Sequence, residues 1–256
     1  MILAIETATR ICSVALFDAS GVREVLESIE ENSHSRVLHV LIDRLMKDQG
    51  IGLQDLSAVT VSKGPGSYTG LRIGVSAAKG LCYAKDIPLI GVNTLESMAF
   101  GMREVLISDS KGGSQIAGMP GGPVIKNPKG ENPGLDSNVC FIPMIDARRM
   151  EVYSAIFDTE LKSIREAEAE VITTDSFAGY KDYKLIFGGD GAEKCKAILT
   201  GDNNYFLPDT FNTSARFMQL AALKALEEKR FENTAYFEPY YLKDFIAGKP
   251  RVKGLE

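Results

Sequence analysis

Three observations in the sequence predict an α/β fold of two lobes, each built on a mixed sheet. Apolar runs of strand length alternate with amphipathic helical stretches through the first hundred residues. A strand–turn–strand unit at the N-terminus reappears in the second half, 140 residues on. Between the two copies the composition shifts abruptly: 109–138 hold seven glycines and four prolines.

In chain order, MILAIETATRICSVALFDASG reads as a strand, a short polar turn and a returning strand. The first strand is almost wholly apolar, as a central strand buried on both faces is. Residues 33–48 form an amphipathic helix in which Val37, Leu38, Leu41, Ile42, Leu45 and Met46 recur at helical spacing, with Asn32 or Ser33 as its cap. LSAVTVSKG is a strand, 70–84 a helix and IPLIGV a further strand. The glycine- and proline-rich 109–138 cannot bury enough apolar surface to offset its ordering entropy, so a mobile insertion is expected there. It separates a first lobe at 1–108 from a second at 139–256. In the second lobe YKLIFGGDGAEKCKAIL reads as strand, glycine turn and helix, and 213–229 as a helix that packs back on the first lobe. The tail is aromatic and then basic.

The two hairpins align without a gap: IETATRICSVALFD on IDARRMEVYSAIFD, with Glu6 against Asp146 and Phe17-Asp18 against Phe157-Asp158. A duplicated half that opens on a hairpin with an acid at its turn is the plan of the actin-like ATPases and sugar kinases (the ASKHA, ribonuclease H-like, fold). There the two turns embrace phosphates and the acids position a metal or a water. Glu6 and Arg148 are the anion or nucleotide contacts that plan suggests, and Gly188 and Gly189 of GGDG would offer amides at a helix start. Neither turn contains a glycine, which makes close approach of a phosphate harder.

The stretch GPGSYTGLRIG at 64–74 admits two readings. It lacks the Gly-Lys-Ser/Thr ending of a phosphate loop. Alternatively Gly70, Gly74 and Ala78, four apart, line one helix face and let another helix approach, in this chain or in a partner. Each glycine inside a helix costs about 1 kcal/mol against alanine, so the pair answers a steric need.

Composition narrows the function classes. The formal charge is −5 and no basic face is evident, so grip on a nucleic acid would need a partner. The four cysteines have no paired spacing, which fits reduced thiols in the cytoplasm. No run is long enough to span a membrane, and no signal segment is read at the N-terminus. The only histidines, His34 and His39, point about 140° apart on a helix and make a poor metal pair.

IETATRICSVAL, KGPGSYTGLRIGVSAAKGL, DARRMEVY and the terminal PYYLKDF, in that order, resemble the TsaB (YeaZ) family over almost the whole chain except 109–138. The resemblance implies the smaller, non-catalytic, actin-like subunit of the bacterial tRNA threonylcarbamoyladenosine machinery. Its partners would be TsaD, the larger paralogue that performs the transfer, and TsaE, a small P-loop ATPase. Alone it would form a homodimer, and it would meet tRNA only through the complex. On this reading Leu38, Leu41, Ile42, Leu45, Gly70, Gly74 and Ala78 form the partner face. No catalytic residue, metal or cofactor is expected in the chain; metal and nucleotide belong to TsaD, with a nucleotide at the interface left open. Thr94 and Met98 stand where TsaD-type subunits carry their two metal-binding histidines, and neither replaces an imidazole. The alternative is an enzyme of the same fold, a nucleotide hydrolase or a peptidase. A third reading has the tail binding RNA through Lys243, Lys249, Arg251 and Lys253.

Overall fold

The computed structural model describes residues 1–30, 33–110, 125, 127–131, 133 and 138–243. Two five-stranded sheets organise it. The first holds β1 (Ile2–Glu6), β2 (Cys12–Asp18), β3 (Gly21–Ser28), β4 (Ala58–Gly64) and β5 (Leu89–Asn93) in the order β3-β2-β1-β4-β5. The second holds β6 (Val139–Asp146), β7 (Glu151–Phe157), β8 (Ser163–Val171), β9 (Lys184–Gly188) and β10 (Asn204–Phe206), ordered β10-β9-β6-β7-β8. In each, the first strand pairs antiparallel with the second and parallel with the fourth, so one topology occurs twice. The fold is a duplicated actin-like α/β fold.

The ungapped match of the hairpins needs one correction. Glu6 faces Ser13 in the first, whereas Asp146 faces Val152 in the second. The offset of 140 therefore holds for the outgoing strands and slips by one residue in the returning ones. Two consecutive left-handed residues, Arg148 (φ 70°) and Arg149 (φ 53°), tighten the second turn and remove that residue.

Between the strands of the first sheet run α1 (His34–Asp48) and α2 (Tyr68–Lys85). They cover one face, with Leu38, Ile42, Leu45, Val75, Ala78 and Cys82 packed on Leu3, Ile5, Val14 and Val61. The corresponding connections of the second sheet shrink to the short 3-10 turns Ala178–Tyr180 and Glu193–Cys195. The last helix of each half crosses over. α3 (Thr94–Ser110), which follows β5 of the first sheet, packs Leu95, Met98, Met102 and Leu106 on Phe141, Phe157 and Ile186 of the second. α4 (Gln219–Glu227), which follows β10, joins Met218, Ala222 and Ala225 to Ile2, Ala4, Phe17 and Ile90 of the first.

Local chemistry sets the helix ends. α2 begins at Tyr68 because Ser67 Oγ accepts from the Gly70 amide at 3.3 Å. Ser33 does not cap α1 with its side chain: its hydroxyl donates to Glu30 O, and only its carbonyl serves the helix. Asn32 lies outside the described residues. The stretch 213–229 is not one helix. The 3-10 turn Ala215–Met218 precedes α4, pinned where Ala215 N donates to Ser13 Oγ (3.0 Å) and Ser214 Oγ to Glu27 Oε1 (2.6 Å). Most of 109–138 lies outside the described residues; among its described members Ile125 packs in the second core and Asn127 is buried.

Candidate functional site

The glycine-rich stretch closes on the first hairpin turn. Ser67 N donates to Ala8 O at 2.6 Å. A Cβ added at Gly70 would stand 2.1 Å from Thr7 O, at Gly74 2.2 Å from Thr7 Oγ1, and at Gly66 2.4 Å from Ala8 O. No real side chain fits at those separations. The steric need is therefore met inside this chain, where α2 leans on the β1–β2 turn. The turn presents carbonyls to the helix start, and the Ser67 and Gly70 amides are spent on Ala8 O and Ser67 Oγ, an arrangement that does not favour a phosphate.

Glu6 ends β1 with no exposed surface. Its Oε1 accepts from Ala8 N at 2.6 Å, while Oε2 has no partner among the described residues. Burial pushes its carboxyl up from 4.5 to about 7, outweighing the hydrogen bonds from Ala8, Ser62 and Thr7 that favour the charged form. A carboxyl so enclosed is part of the hairpin's interior.

The anion site expected across the cleft is not assembled. Gly188 is filled in by Leu207, Met102 and Phe211, and a Cβ at Gly189 (φ +108°) would lie 2.3 Å from Met144 O. Gly191 N donates to Met144 O, and the helix expected after GGDG is a single 3-10 turn with no aligned dipole to offer. Asp190 and Asp146 stand there instead: Asp190 Oδ1 accepts from Asp146 N at 3.0 Å, and burial holds the Asp190 carboxyl above its usual range. Lys194 Nζ is committed to Asp146, Arg149 O and Glu151 O. Arg148 is exposed at the turn, whereas Gly188 and Gly189 are buried.

The partner face also needs correction. Leu38, Ile42, Leu45, Gly70, Gly74 and Ala78 are buried within the chain, and Leu41 is half-buried against the same core. These residues point at their own sheet. The surface that α1 and α2 offer outward is a groove lined by Ser35, His39, Tyr68, Arg72, Ile73 and Leu81, with Gly80 on its floor. Val40 and Tyr83 are also exposed on these two helices. Sequence reasoning missed these residues because the buried stripe dominates helical periodicity. The available signal was Tyr68 and Arg72, four apart on one helix face, together with the tyrosines of PYY.

The remaining candidates are placed plainly. His34 shares a 2.9 Å hydrogen bond with Thr9 O, which ties α1 to the hairpin, and His39 lines the groove. Thr94 and Met98 are buried, the latter in the second core. Among the described residues no three His, Cys, Asp or Glu come together as a metal site, and no helix is long and apolar enough to cross a membrane. All four cysteines are free and buried, and burial lifts Cys12 to about 12 and Cys82 and Cys140 to about 11. Of the tail, Lys243 pairs with Glu151, while Lys249, Arg251 and Lys253 lie outside the described residues.

Two sheets of one topology, a hairpin turn gripped by a glycine-rich helix and helices exchanged between the lobes define a protein of the duplicated actin-like class. Residues 25–111 match the family model of TsaD, tRNA N6-adenosine threonylcarbamoyltransferase. The tRNA threonylcarbamoyladenosine biosynthesis protein TsaB of Bacillus subtilis is 32% identical over 187 residues, 70% of this chain and 79% of that protein. Its namesake in Escherichia coli is 42% identical over 100 residues, 39% of this chain and 43% of that protein. The chain thus spans less than half the length of the E. coli relative it matches. A solved structure, YeaZ from Pseudomonas aeruginosa, superposes with a TM-score of 0.69 over 94% of this chain and 99% of that one, at 20% identity, a likeness of fold. The chain belongs to the TsaB family.

Proposed function

We propose that this chain is a non-catalytic accessory subunit in the formation of threonylcarbamoyladenosine in tRNA. It docks through the outer α1–α2 groove onto a tRNA N6-adenosine threonylcarbamoyltransferase, with the TsaE ATPase as the further partner. The observation that carries this reading is the contrast between two surfaces. The hairpin turn that holds phosphate in actin-like enzymes is sealed by Gly66, Gly70 and Gly74, whereas the outer side of the same helix lies open as a groove. The names of the relatives support the pathway, and the match of 25–111 to the transferase family supports a partner of related fold. When alone, the chain would turn the same groove toward a second copy. The net charge of −5 supports contact with tRNA only through the complex, in the cytoplasm.

A peptidase or hydrolase reading finds little support in the side chains. The cysteine thiols are held protonated by burial, and the His34 ring is engaged by a backbone carbonyl. Reconstitution tests the proposal: the transferase, TsaE, threonylcarbamoyl-adenylate and tRNA, assayed for modified adenosine with and without this chain. Product that depends on the chain, with no turnover by the chain alone, is the expected result. Equal modification without it would remove the accessory role.

A further inference from the structure

The charged groups that line the outer groove are cationic. On α1 the exposed cations are matched: Arg36 with Glu30, Arg44 with Asp48, Lys47 with Asp43. On α2, Arg72 is exposed and forms no ion pair among the described residues; the field of Glu238 reaches it without a contact. The residues lining the groove include no aspartate or glutamate, so its only charged members are Arg72 and, when protonated, His39.

Arg72 is nevertheless held in place. Its guanidinium carbon lies 4.2 Å from the Tyr68 ring centre and 5.9 Å from that of Tyr241. The two rings stand 4.9 Å apart, and Arg72 Nε donates to Tyr241 Oη at 3.0 Å. That geometry uses one of five N–H donors; no described residue bonds the terminal Nη pair, the fork that matches a carboxylate. Tyr241 arrives from the far end of the chain on a strap that is itself anchored. Glu232 N donates to Leu89 O, Lys79 Nζ to Ala235 O and Phe237 O, and Tyr240 N to Lys63 O, while the Phe237 ring is buried in the first core.

We propose that the groove receives a partner helix bearing a carboxylate, which Arg72 grips through its Nη fork, and that Tyr241 of the C-terminal strap is the positioning residue for that arginine. The groove runs along α2 from Tyr68 to Leu81, about 20 Å or some three to four turns. Gly80 has nothing within 4 Å of where its Cβ would be and so leaves room for an apolar anchor. Arg72 and Gly80 are about 12 Å apart along the axis. The partner helix therefore carries its acid about two turns from its anchor. This inference rests on the docking face named under the proposed function and adds the chemistry of the occupant.

The test measures the dissociation constant of the full chain with the purified threonylcarbamoyltransferase from the same cell at low and high salt. Arg72→Ala is expected to weaken binding tenfold or more and flatten its salt dependence, with Arg72→Lys recovering only part because a point charge lacks the fork. Tyr241→Phe, which keeps the ring and removes the hydroxyl, is expected to lose several-fold in the wild-type background and nothing further in Arg72→Ala. A purely structural role for Tyr241 would instead add its loss in both backgrounds. Gly80→Trp fills the groove and is expected to abolish binding. If Gly80→Trp abolishes binding while Arg72→Ala and Tyr241→Phe leave it within twofold, this inference falls and the docking face stands. If all three variants bind like wild type, or the wild type does not bind, the docking face itself is wrong.

Discussion

At the scale of single residues, Glu6 shows what enclosure does to a carboxyl at the end of a central strand. The acid is enclosed at the end of β1, accepts from the Ala8 amide through Oε1 and, although Ser62 and the Thr7 backbone favour its charged form, is pushed up to about 7 by burial. The consequence for stability has a definite sign. Below pH 4.5 the carboxyl is protonated in both folded and unfolded chains and contributes nothing. As pH rises from 4.5 to about 7 the unfolded chain releases the proton while the folded chain retains it, so this group progressively lowers stability. The loss totals on the order of 3 kcal/mol and is complete above about 7. Glu6→Gln keeps an acceptor for the Ala8 amide and removes the ionisation. Urea unfolding at pH 5 and pH 8 is expected to show the variant gaining stability relative to wild type at the higher pH. A difference between the two that does not change with pH would mean that Glu6 is ionised in the folded protein at little cost.

At the scale of elements, α2 carries two kinds of glycine that the sequence presents alike. Gly70 and Gly74 touch the hairpin turn, whereas Gly80 faces open space. Gly70→Ala forces a methyl against Thr7 O and is expected to cost roughly 2 kcal/mol or more. Gly80→Ala meets nothing and is expected to gain about 0.5–1 kcal/mol from helix propensity alone. Denaturant midpoints of the two variants should move in opposite directions, and a common direction would refute the assignment of the close contact. The same pair marks the limit of reading the sequence. Strands, helices and the duplication were legible because burial imposes periods of two and 3.6. The spacing of Gly70, Gly74 and Ala78 gave the close approach, but not whether its target was this chain or another. The outward groove left no periodic trace at all. It is formed by what the buried stripe omits, and its Arg72 is ordered by a tyrosine 169 residues away. The one-residue slip between the hairpins was equally hidden, because two non-glycine residues adopt left-handed backbone at a turn that no glycine announces.

At the scale of the molecule, the crossed helices bind the lobes into one folding unit. α3 leaves the first sheet to cover the second, and α4 leaves the second half to cover the first. A buried Thr9–Thr213 hydroxyl pair at 2.7 Å and the Glu27–Ser214 bond tie the same seam. Neither sheet can bury both faces with residues from its own half, so partial unfolding of one lobe exposes the other. Ala222, fully buried where α4 meets Ile2, Ala4 and Phe17, tests this coupling. Ala222→Asp puts an unpaired charge into the first core and is expected to cost at least about 3 kcal/mol. The informative readout is hydrogen exchange in the second sheet, at the amides of Ile186 and Phe187 on β9, whose side chains belong to cores other than the one α4 joins. If the lobes unfold together, protection at β9 falls by the same free energy as protection at β1 and β4. If β9 keeps its protection while the first sheet loses it, each lobe is stable alone, and the exchanged helices dock onto lobes that are already folded.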